Sequence, residues 1–246
     1  ENKNPKDDYR ILHIEGAHFF DIDKISDQKN KFPHTVPKLK DFKLSMRNFN
    51  IHNNTLIVTY GSENIMGASR VWWMFKYFGF KNVKVLNGGL SKWIKENRPI
   101  TNKKSIKKNS TYDFFINNTW IADKDIVFKS INNKKKLILD ARNNKRFNGT
   151  EKEPRKGLRS GHIPNSKNIF WKELTNEGEK ILTKNLIKEK FKKYNIRNSH
   201  LILSCGSGIS ACVLSLSLKH GLDIKGRVYD GSWTEWGSNK KLPIKR

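Results

Sequence analysis

The 246-residue sequence has few cysteines, few acidic residues and no long apolar run, and each scarcity excludes a class of protein. Two cysteines are too few for a disulfide scaffold of this length, and they suit a reducing compartment. No uncharged apolar run approaches the roughly 18 residues of a membrane-spanning helix, so we expect no membrane partner. The chain begins Glu-Asn-Lys-Asn, with neither an initiator methionine nor an apolar secretory segment.

Acidic residues are outnumbered, because 23 Asp and Glu stand against 49 Lys and Arg, which gives a formal net charge of +26. The excess consists of 38 Lys and only 11 Arg, spread along the chain and often beside one of 27 Asn. A nucleic-acid interface would concentrate arginines and aromatic residues on one face. The charge therefore indicates solvated surface. A noncatalytic basic module that binds nucleic acid or an acidic partner is the alternative from another functional class.

The sequence contains a weak internal repeat, in which three short blocks recur in the same order in the two halves. The blocks begin at His13, Leu56 and Val85 in the first half and at His162, Leu201 and Val228 in the second. The length is also sufficient for two domains with separate cores. We therefore predict two homologous domains in tandem, residues 1–110 and residues 111–246.

Each half alternates short apolar runs with helical patterns, which is typical of a parallel sheet with helices on both faces. The predicted strands cover residues 56–59, 83–86, 137–139, 201–204 and 227–229. Helices are predicted over residues 71–80 and 212–222, and each ends near a glycine, Gly79 or Gly221. The predicted fold class is α/β, and the polar residues 98–112 form the predicted interdomain linker.

The repeat also predicts that the first domain lacks its first strand. In the second half, the strand over residues 137–139 precedes the block that begins at His162. The same spacing ahead of His13 would place the corresponding strand before residue 1. We therefore expect the first domain to begin inside the fold, either because the sequence is a fragment or because the gene has an unusual start.

Cys205 follows a predicted strand and opens a glycine-rich loop, Cys-Gly-Ser-Gly-Ile-Ser, ahead of a predicted helix. In this arrangement, backbone N–H groups can point at the sulfur and the positive end of the helix dipole lies beneath it. Both effects favour the thiolate, which is the nucleophilic form. We predict that Cys205 is a nucleophile, whereas Cys212, placed on the helix, is an inert buried cysteine.

Two reactions use a cysteine in such a loop. A cysteine phosphatase needs an arginine six positions after the nucleophile to bind the phosphate, and Ala211 stands at that position. A nucleophile that accepts a neutral sulfur atom needs no cation, because backbone N–H groups can hold the persulfide anion. Sulfur transfer is therefore the better interpretation.

The chain resembles the two-domain rhodaneses, and within them the 3-mercaptopyruvate sulfurtransferases, over nearly its whole length from about Tyr9. The strings that carry this resemblance are Phe-Phe-Asp-Ile-Asp from Phe19, Arg-Val-Trp-Trp-Met-Phe from Arg70, Leu-Asn-Gly-Gly from Leu86, Arg-Phe-Asn-Gly-Thr from Arg146, Ser-Gly-His-Ile-Pro from Ser160 and Tyr-Asp-Gly-Ser-Trp from Tyr229. The loop start Cys-Gly-Ser-Gly is the mercaptopyruvate version, since thiosulfate-type rhodaneses usually carry Arg and Lys after the cysteine. The resemblance implies two tandem rhodanese-like domains.

The resemblance also implies a catalytic set. Cys205 would attack the donor sulfur, hold it as a persulfide and release pyruvate. Ser207, His34 and Asp23 match a proposed Ser-His-Asp arrangement, which places the site in the cleft between the domains. For His34 and Asp23, capping a turn or bridging the domains is the alternative. The first domain has Tyr-Gly-Ser where the second has Ser-Cys-Gly, so we expect it to be noncatalytic.

Arg146 and Arg155 match the family positions that bind the carboxylate and carbonyl of the substrate, a task that suits guanidinium groups. Ion pairing at the surface is the alternative for both. The resemblance assigns to the persulfide the backbone N–H groups of Gly206, Gly208, Ile209 and Ser210. No metal and no cofactor are expected.

The predicted function is the transfer of sulfur from 3-mercaptopyruvate to a thiol acceptor, such as thioredoxin or a small thiol, or to cyanide. Thiosulfate as the donor, with the same persulfide mechanism, is the nearest alternative. We expect no nucleic-acid partner. We expect a cytoplasmic location, with the mitochondrion as the alternative, because the family occurs in both.

Overall fold

The computed structural model describes residues 4–194, 196 and 200–246, which form two α/β units in tandem. The α-helices are α1 (Pro5–Ile11), α2 (Ile22–Ile25), α3 (Leu39–Met46), α4 (Ile65–Tyr77), α5 (Gly89–Lys95), α6 (Lys124–Phe128), α7 (Asn144–Phe147), α8 (Lys184–Lys192), α9 (Ala211–Leu222) and α10 (Ser232–Ser238). The strands are β1 (His13–Ile14), β2 (Ile57–Thr59), β3 (Val83–Val85), β4 (Ile100–Thr101), β5 (Ile121–Ala122), β6 (Lys136–Asp140), β7 (Ser166–Asn168), β8 (Thr175–Asn176), β9 (Lys180–Ile181), β10 (His200–Ser204) and β11 (Arg227–Tyr229).

Five parallel strands form the sheet of the second unit, in the order β5, β11, β10, β6 and β7. Successive side chains of a strand point to opposite faces, so the central strand β10 contributes to two apolar layers. Leu201 and Leu203 pack with residues of α8 and α9, whereas Ile202 packs with Trp233 and Trp236 of α10. The sheet is therefore covered on both faces, and the predicted α/β class is confirmed.

The first unit has less sheet than the second. β2 pairs with β3 in parallel, and β1 pairs with β4 in antiparallel orientation. In the second unit β6 lies between β10 and β7, but the described residues of the first unit hold no strand between β1 and β2. A cavity of about 1090 Å³ opens there, bounded by α1, β1, β2 and α4. This is the position at which the sequence repeat predicts a further strand.

Helix α4 starts earlier than the sequence analysis predicted, at Ile65 rather than at residue 71. The prediction missed its cap, because the Asn64 side chain accepts a hydrogen bond from the Met66 N–H and so satisfies a free donor of the first turn. The helix ends at Tyr77, just before Gly79, which adopts a left-handed φ of +82°. Helix α4 is mostly buried and packs against α9, so the apolar core is continuous between the two units.

The segment over residues 98–112, predicted as the linker, also takes part in the first unit. It supplies β4, which pairs with β1. Further along, the backbone N–H groups of Ser110 and Thr111 donate to the carbonyls of Arg47 and Ile51. These contacts use backbone groups, so the polar composition of the segment gave no sign of them.

Gly221 lies inside α9 rather than at its end, which the left-handed Asp223 caps at φ +56°. A Cβ at Gly221 would lie 2.3 Å from Cγ2 and 2.7 Å from Cβ of Ile187 in α8. Both atoms belong to the branched part of a buried side chain, which cannot move aside easily. The glycine therefore permits the close approach of α8 and α9, instead of serving as the predicted helix stop.

We expect Gly221→Ala to lower the free energy of unfolding by about 1–3 kcal/mol, because it overpacks the contact between the helices. The matched control is Gly67→Ala in α4, where the nearest atom to the new Cβ is Ile22 Cδ1 at 3.7 Å. That change should be neutral or should stabilise the protein by up to about 1 kcal/mol. Urea denaturation followed by tryptophan fluorescence measures both effects, and equal effects of the two substitutions would contradict the prediction.

Candidate active site

Cys205 directly follows β10 and is 1% exposed. Its Sγ accepts a hydrogen bond from the Gly208 N–H at 3.1 Å. The Ser232 hydroxyl lies 3.9 Å from the same sulfur and accepts a hydrogen bond from the Cys205 N–H at 3.2 Å. The Ser232 hydroxyl donates its own proton to the Tyr229 carbonyl at 2.7 Å, so the Gly208 N–H is the donor that faces the sulfur, which is removed from bulk water.

The loop that carries Cys205 is held closed by the first turn of α10. The Trp233 N–H donates to the Cys205 carbonyl at 2.9 Å, and the Thr234 N–H donates to the Gly206 carbonyl at 2.9 Å. Gly208 adopts a φ of +79°, and a Cβ there would lie 2.9 Å from the Asp230 carbonyl oxygen. A glycine is thus required at the residue whose N–H contacts the sulfur.

Four backbone amides of this loop are the predicted donors to a persulfide. The structure brings the Gly208 amide to Sγ. Gly206, Ile209 and Ser210 are half-buried residues of the same loop. Their part in holding an outer sulfur atom stays a prediction.

Ser207, His34 and Asp23 lie in series, although the first belongs to the second unit and the other two to the first. Nδ1 of His34 lies 2.9 Å from Oγ of Ser207, and Nε2 lies 3.2 Å from Oδ1 of Asp23. Ser207 is buried, whereas the Asp23 side chain is 82% exposed. The order predicted for these residues is therefore present as a chain of contacts across the two units, and its catalytic role stays a prediction.

Burial lowers the pKa of His34 below its ordinary value of 6.5. The nearby Asp23 carboxylate opposes this shift, while the positive charges of Arg155 and Arg70 reinforce it. The imidazole is consequently neutral at pH 7, with one ring nitrogen protonated. In that state Nε2–H can donate to Asp23 while Nδ1 accepts the Ser207 hydroxyl proton.

Arg146 lies beside the loop, because a Cβ at Gly206 would lie 3.1 Å from its Nη2 atom. The same Nη2 donates to Oε2 of Glu153 at 2.5 Å. Glu153 is buried and also accepts from Arg142 at 2.8 Å, and Arg142 in turn binds Asp140 at the end of β6. The predicted substrate-binding Arg146 is thus held in a fixed orientation by a buried ion-pair network, and its side chain remains 20% exposed.

Arg155, the other predicted substrate-binding residue, is exposed. Its charge lowers the pKa of His34, so it lies within electrostatic reach of the imidazole. Contact with a substrate stays a prediction for both arginines.

Cys212, in the first turn of α9 behind the loop, is a different kind of cysteine. It is fully buried, and its thiol donates to the Gly208 carbonyl at 3.1 Å. Burial raises the pKa of this thiol to about 12. Cys212 therefore stays protonated at neutral pH, which agrees with the prediction that it is inert.

Some residues of the site were not singled out by the sequence analysis. Ser232, Asp230 and Arg70 appeared only within longer strings, and Glu153 did not appear at all. A signal existed for Arg70, since it is a lone cation beside the apolar run 71–75, and such a charge needs a buried partner. For Glu153, which pairs with Arg142 and Arg146 after the chain turns back, no local pattern was available.

The large cavity of the first unit reaches the candidate site at its edge. Asp23, His34 and Ile209 belong to its lining, whereas most of the lining comes from the first unit. Within the described ranges, no three His, Cys, Asp or Glu side chains are grouped so as to hold a metal ion. No helix among the described residues has the length and apolarity to cross a membrane.

The fold and the loop define a class of protein with a buried cysteine at the carboxyl end of a central parallel strand. The chain matches the family model of the rhodanese-like domain twice, over residues 4–96 and residues 124–239. This chain therefore belongs to the rhodanese family and contains two rhodanese-like domains. The predicted boundary between residues 110 and 111 falls between the matched regions and stays a prediction.

Relatives that share almost the whole chain are sulfurtransferases. The chain is 34% identical over 245 residues to the 3-mercaptopyruvate sulfurtransferase of Escherichia coli K12, across 99% of this chain and 87% of that protein. It is 34% identical over 268 residues to the mitochondrial thiosulfate/3-mercaptopyruvate sulfurtransferase 1 of Arabidopsis thaliana, across 99% and 70%. The crystal structure of the Tum1 protein from Saccharomyces cerevisiae superposes with a TM-score of 0.88 at 26% identity, across 99% and 87%. The prediction of a sulfur-group transferase is confirmed.

We expect the pKa of His34 to respond in opposite directions to its two charged neighbours. Arg155→Gln removes a positive charge that disfavours the imidazolium and should raise this pKa, whereas Asp23→Asn should lower it. NMR titration of the histidine ring signals measures both shifts, and His34→Gln assigns the signal. Lys156→Gln is the control for nonspecific charge, and an equal shift in that variant would contradict the assignment to Arg155.

Proposed function

We propose that the protein transfers sulfur from 3-mercaptopyruvate, through a persulfide on Cys205, to a thiol acceptor or to cyanide. The observation that carries the proposal is the buried Cys205 sulfur, which accepts the Gly208 N–H in a loop without cationic side chains. Such a loop suits a neutral sulfur atom better than a dianionic group. The sulfurtransferase relatives support the same reaction class.

The first half-reaction begins with attack of the Cys205 thiolate on the donor sulfur. A sulfur–sulfur bond forms while the bond between that sulfur and the donor methylene carbon breaks. The electron pair of the broken bond stays with the methylene carbon as the enolate of pyruvate. Protonation of this carbon releases pyruvate and leaves the donor sulfur on Cys205 as a persulfide.

The series Ser207, His34 and Asp23 provides a route for the proton in this step. A neutral imidazole at Nδ1 can take the Ser207 hydroxyl proton, and the contact between Nε2 and Asp23 stabilises the imidazolium that results. The Ser207 hydroxyl can then relay the proton between the donor thiol and the departing enolate carbon. His34 can serve as this base only while it is neutral, and its lowered pKa favours that state at pH 7.

The second half-reaction transfers the outer sulfur to the acceptor. An acceptor thiolate, from thioredoxin or a small thiol, attacks the outer sulfur and becomes a persulfide, while the Cys205 thiolate leaves. Cyanide would attack in the same way and form thiocyanate. The N–H donor from Gly208 stabilises the leaving thiolate here as it stabilises the nucleophile in the first half.

Arg146 and Arg155 are the proposed partners of the donor carboxylate and carbonyl. Arg146 lies beside Gly206 in a fixed orientation, and the charge of Arg155 acts on the neighbouring His34. Guanidinium groups suit a planar 2-oxo acid, because they present paired donors. Thiosulfate has no carboxylate for these residues, and the loop itself offers it no cation.

We expect intact-mass spectrometry to detect one added sulfur atom after treatment with 3-mercaptopyruvate, and its removal by cyanide or thiols. Cys205→Ser should abolish the adduct. Cys212→Ser is the matched control, because serine keeps a donor for the Gly208 carbonyl while removing the other sulfur, and it should still form the adduct. An adduct that persists in Cys205→Ser, or none in the unaltered protein, would refute the persulfide mechanism.

We expect Arg155→Gln to lower kcat/KM for 3-mercaptopyruvate roughly 10–100-fold, since it removes a charge-assisted hydrogen bond of about 1.5–3 kcal/mol. The neighbouring exposed cation supplies the control, because Lys156→Gln changes the net charge equally without a proposed contact. Steady-state pyruvate formation measures both variants. The same loss in Lys156→Gln would show that bulk charge, and not a specific contact, attracts the donor.

Thiosulfate is the second candidate donor, and the Arabidopsis relative named for both donors favours keeping it. The two donors are separated by comparing kcat/KM for pyruvate formation with kcat/KM for thiosulfate-dependent thiocyanate formation on one preparation. We expect the larger value for 3-mercaptopyruvate. Faster turnover of thiosulfate would overturn the choice of donor and leave the persulfide step in place.

A further inference from the structure

Arg70 is a fully buried cation on α4 of the first unit. Its guanidinium stacks over the Trp73 ring, 4.6 Å from the centroid. A charge in such a place must be paired and hydrogen-bonded, because burial removes its hydration. Loss of a partner of Arg70 would therefore leave a buried charge unpaired, at a large cost in free energy. These partners belong to the candidate active site.

Arg70 donates to three oxygen acceptors near the reacting sulfur, and its Nη1 also lies 4.0 Å from Sγ of Cys212. Nη2 donates to Oδ1 of Asp230 at 2.8 Å and to the carbonyl of His34. Nη1 donates to the carbonyl of Gly208 at 3.3 Å. One side chain of the first unit therefore holds the backbone at both the proposed base and the residue whose N–H contacts Cys205.

Asp230 completes the arrangement from the other side. Its Oδ2 accepts the Val36 N–H at 2.7 Å, so the carboxylate holds the backbone two residues beyond His34. His34 itself adopts a φ of +63°, a left-handed conformation that costs energy in a residue with a Cβ. The carbonyl of His34 and the N–H of Val36 are thus both bound to one ion pair, which keeps the imidazole pointing at Ser207.

We infer that the ion pair of Arg70 and Asp230 positions His34 of the first unit against the Cys205 loop of the second, and that the rate of persulfide formation depends on it. This inference rests on the function proposed above. Neither side chain contacts a reacting atom, so both are positioning residues. A small displacement of His34 can lower the rate by a large factor, because catalytic groups must meet in one geometry.

Conservative substitutions test this role in the full chain. Arg70→Lys keeps the charge but loses the fork that reaches three acceptors, and Asp230→Asn keeps the shape but places an amide N–H against one of two donors. Arg159→Lys is the matched control. Arg159 also serves several carbonyls, those of Trp236, Gly237, Asn239 and Leu242, which lie in the last turn of α10 or beyond it and not in the Cys205 loop. Each variant is assayed for melting temperature, donor KM, single-turnover persulfide formation and alkylation of Cys205 by iodoacetamide.

We expect Arg70→Lys and Asp230→Asn to slow persulfide formation about 10–100-fold with donor KM changed by no more than about threefold. Alkylation of Cys205 should slow by at least about threefold, because the thiolate is the reactive form and its N–H donor is displaced. Arg159→Lys should lower the melting temperature while leaving both rates within about twofold of the unaltered protein. This pattern separates positioning from a general loss of stability.

Several results would overturn the inference. The first is that Arg70→Lys and Asp230→Asn fold and keep unaltered rates of persulfide formation and alkylation, or show only a rise in donor KM. The second is that Arg159→Lys loses as much rate as they do. The third is that both Arg70→Lys and Asp230→Asn fail to fold while Arg159→Lys folds. Failure of the proposed function has another signature, because the unaltered protein would then form no persulfide. The alkylation rates need no donor, so they decide the positioning role in that case as well.

Discussion

A buried sulfur can carry negative charge only where fixed donors replace the water that it has lost, and the second domain is organised around that requirement. The central strand β10 places Cys205 at the carboxyl ends of the strands of the sheet, and the first turn of α10 binds the loop carbonyls. With the loop closed in this way, the Gly208 N–H points at the sulfur, and its left-handed backbone lies so near the Asp230 carbonyl that a Cβ would be only 2.9 Å from the oxygen. The sheet, the helix and the loop therefore act together on one atom.

The charged residues of the chain fall into two groups, exposed lysines and buried arginine ion pairs. The excess of 26 positive charges lies mainly in lysines along the surface, where water screens it. The buried ion pairs instead use arginine, as with Arg142 between Asp140 and Glu153. Arginine suits these places because its planar group satisfies several acceptors at once. The scarce carboxylates therefore include residues that pair with buried arginines, whereas most of the abundant lysines are solvated.

Strands and helices could be predicted from the sequence where neighbouring residues determine them. The apolar strands β6, β10 and β11 were found to within a residue or so, since a parallel strand covered on both faces is mostly apolar. The two-residue strand β5 and the polar strand β7 of the same sheet were missed. Prediction also failed at the start of α4, where one capping side chain at Asn64 decides the boundary, and at Gly221, where the neighbour across the helix contact does. Ser207 and His34 are 173 residues apart, so only the family resemblance suggested their contact. The pair of Arg70 and Asp230 has no local pattern, because its two halves meet only after both domains fold.

The apolar core is continuous between α4 and α9, so the two domains share a packed interface. After a duplication, a domain without a nucleophile would ordinarily be free to drift or to be deleted. Here its helix supplies the buried Arg70, and its loop supplies His34. In the function proposed above, the second domain therefore depends on residues of the first, and a lineage that lost the first domain would lose sulfur transfer.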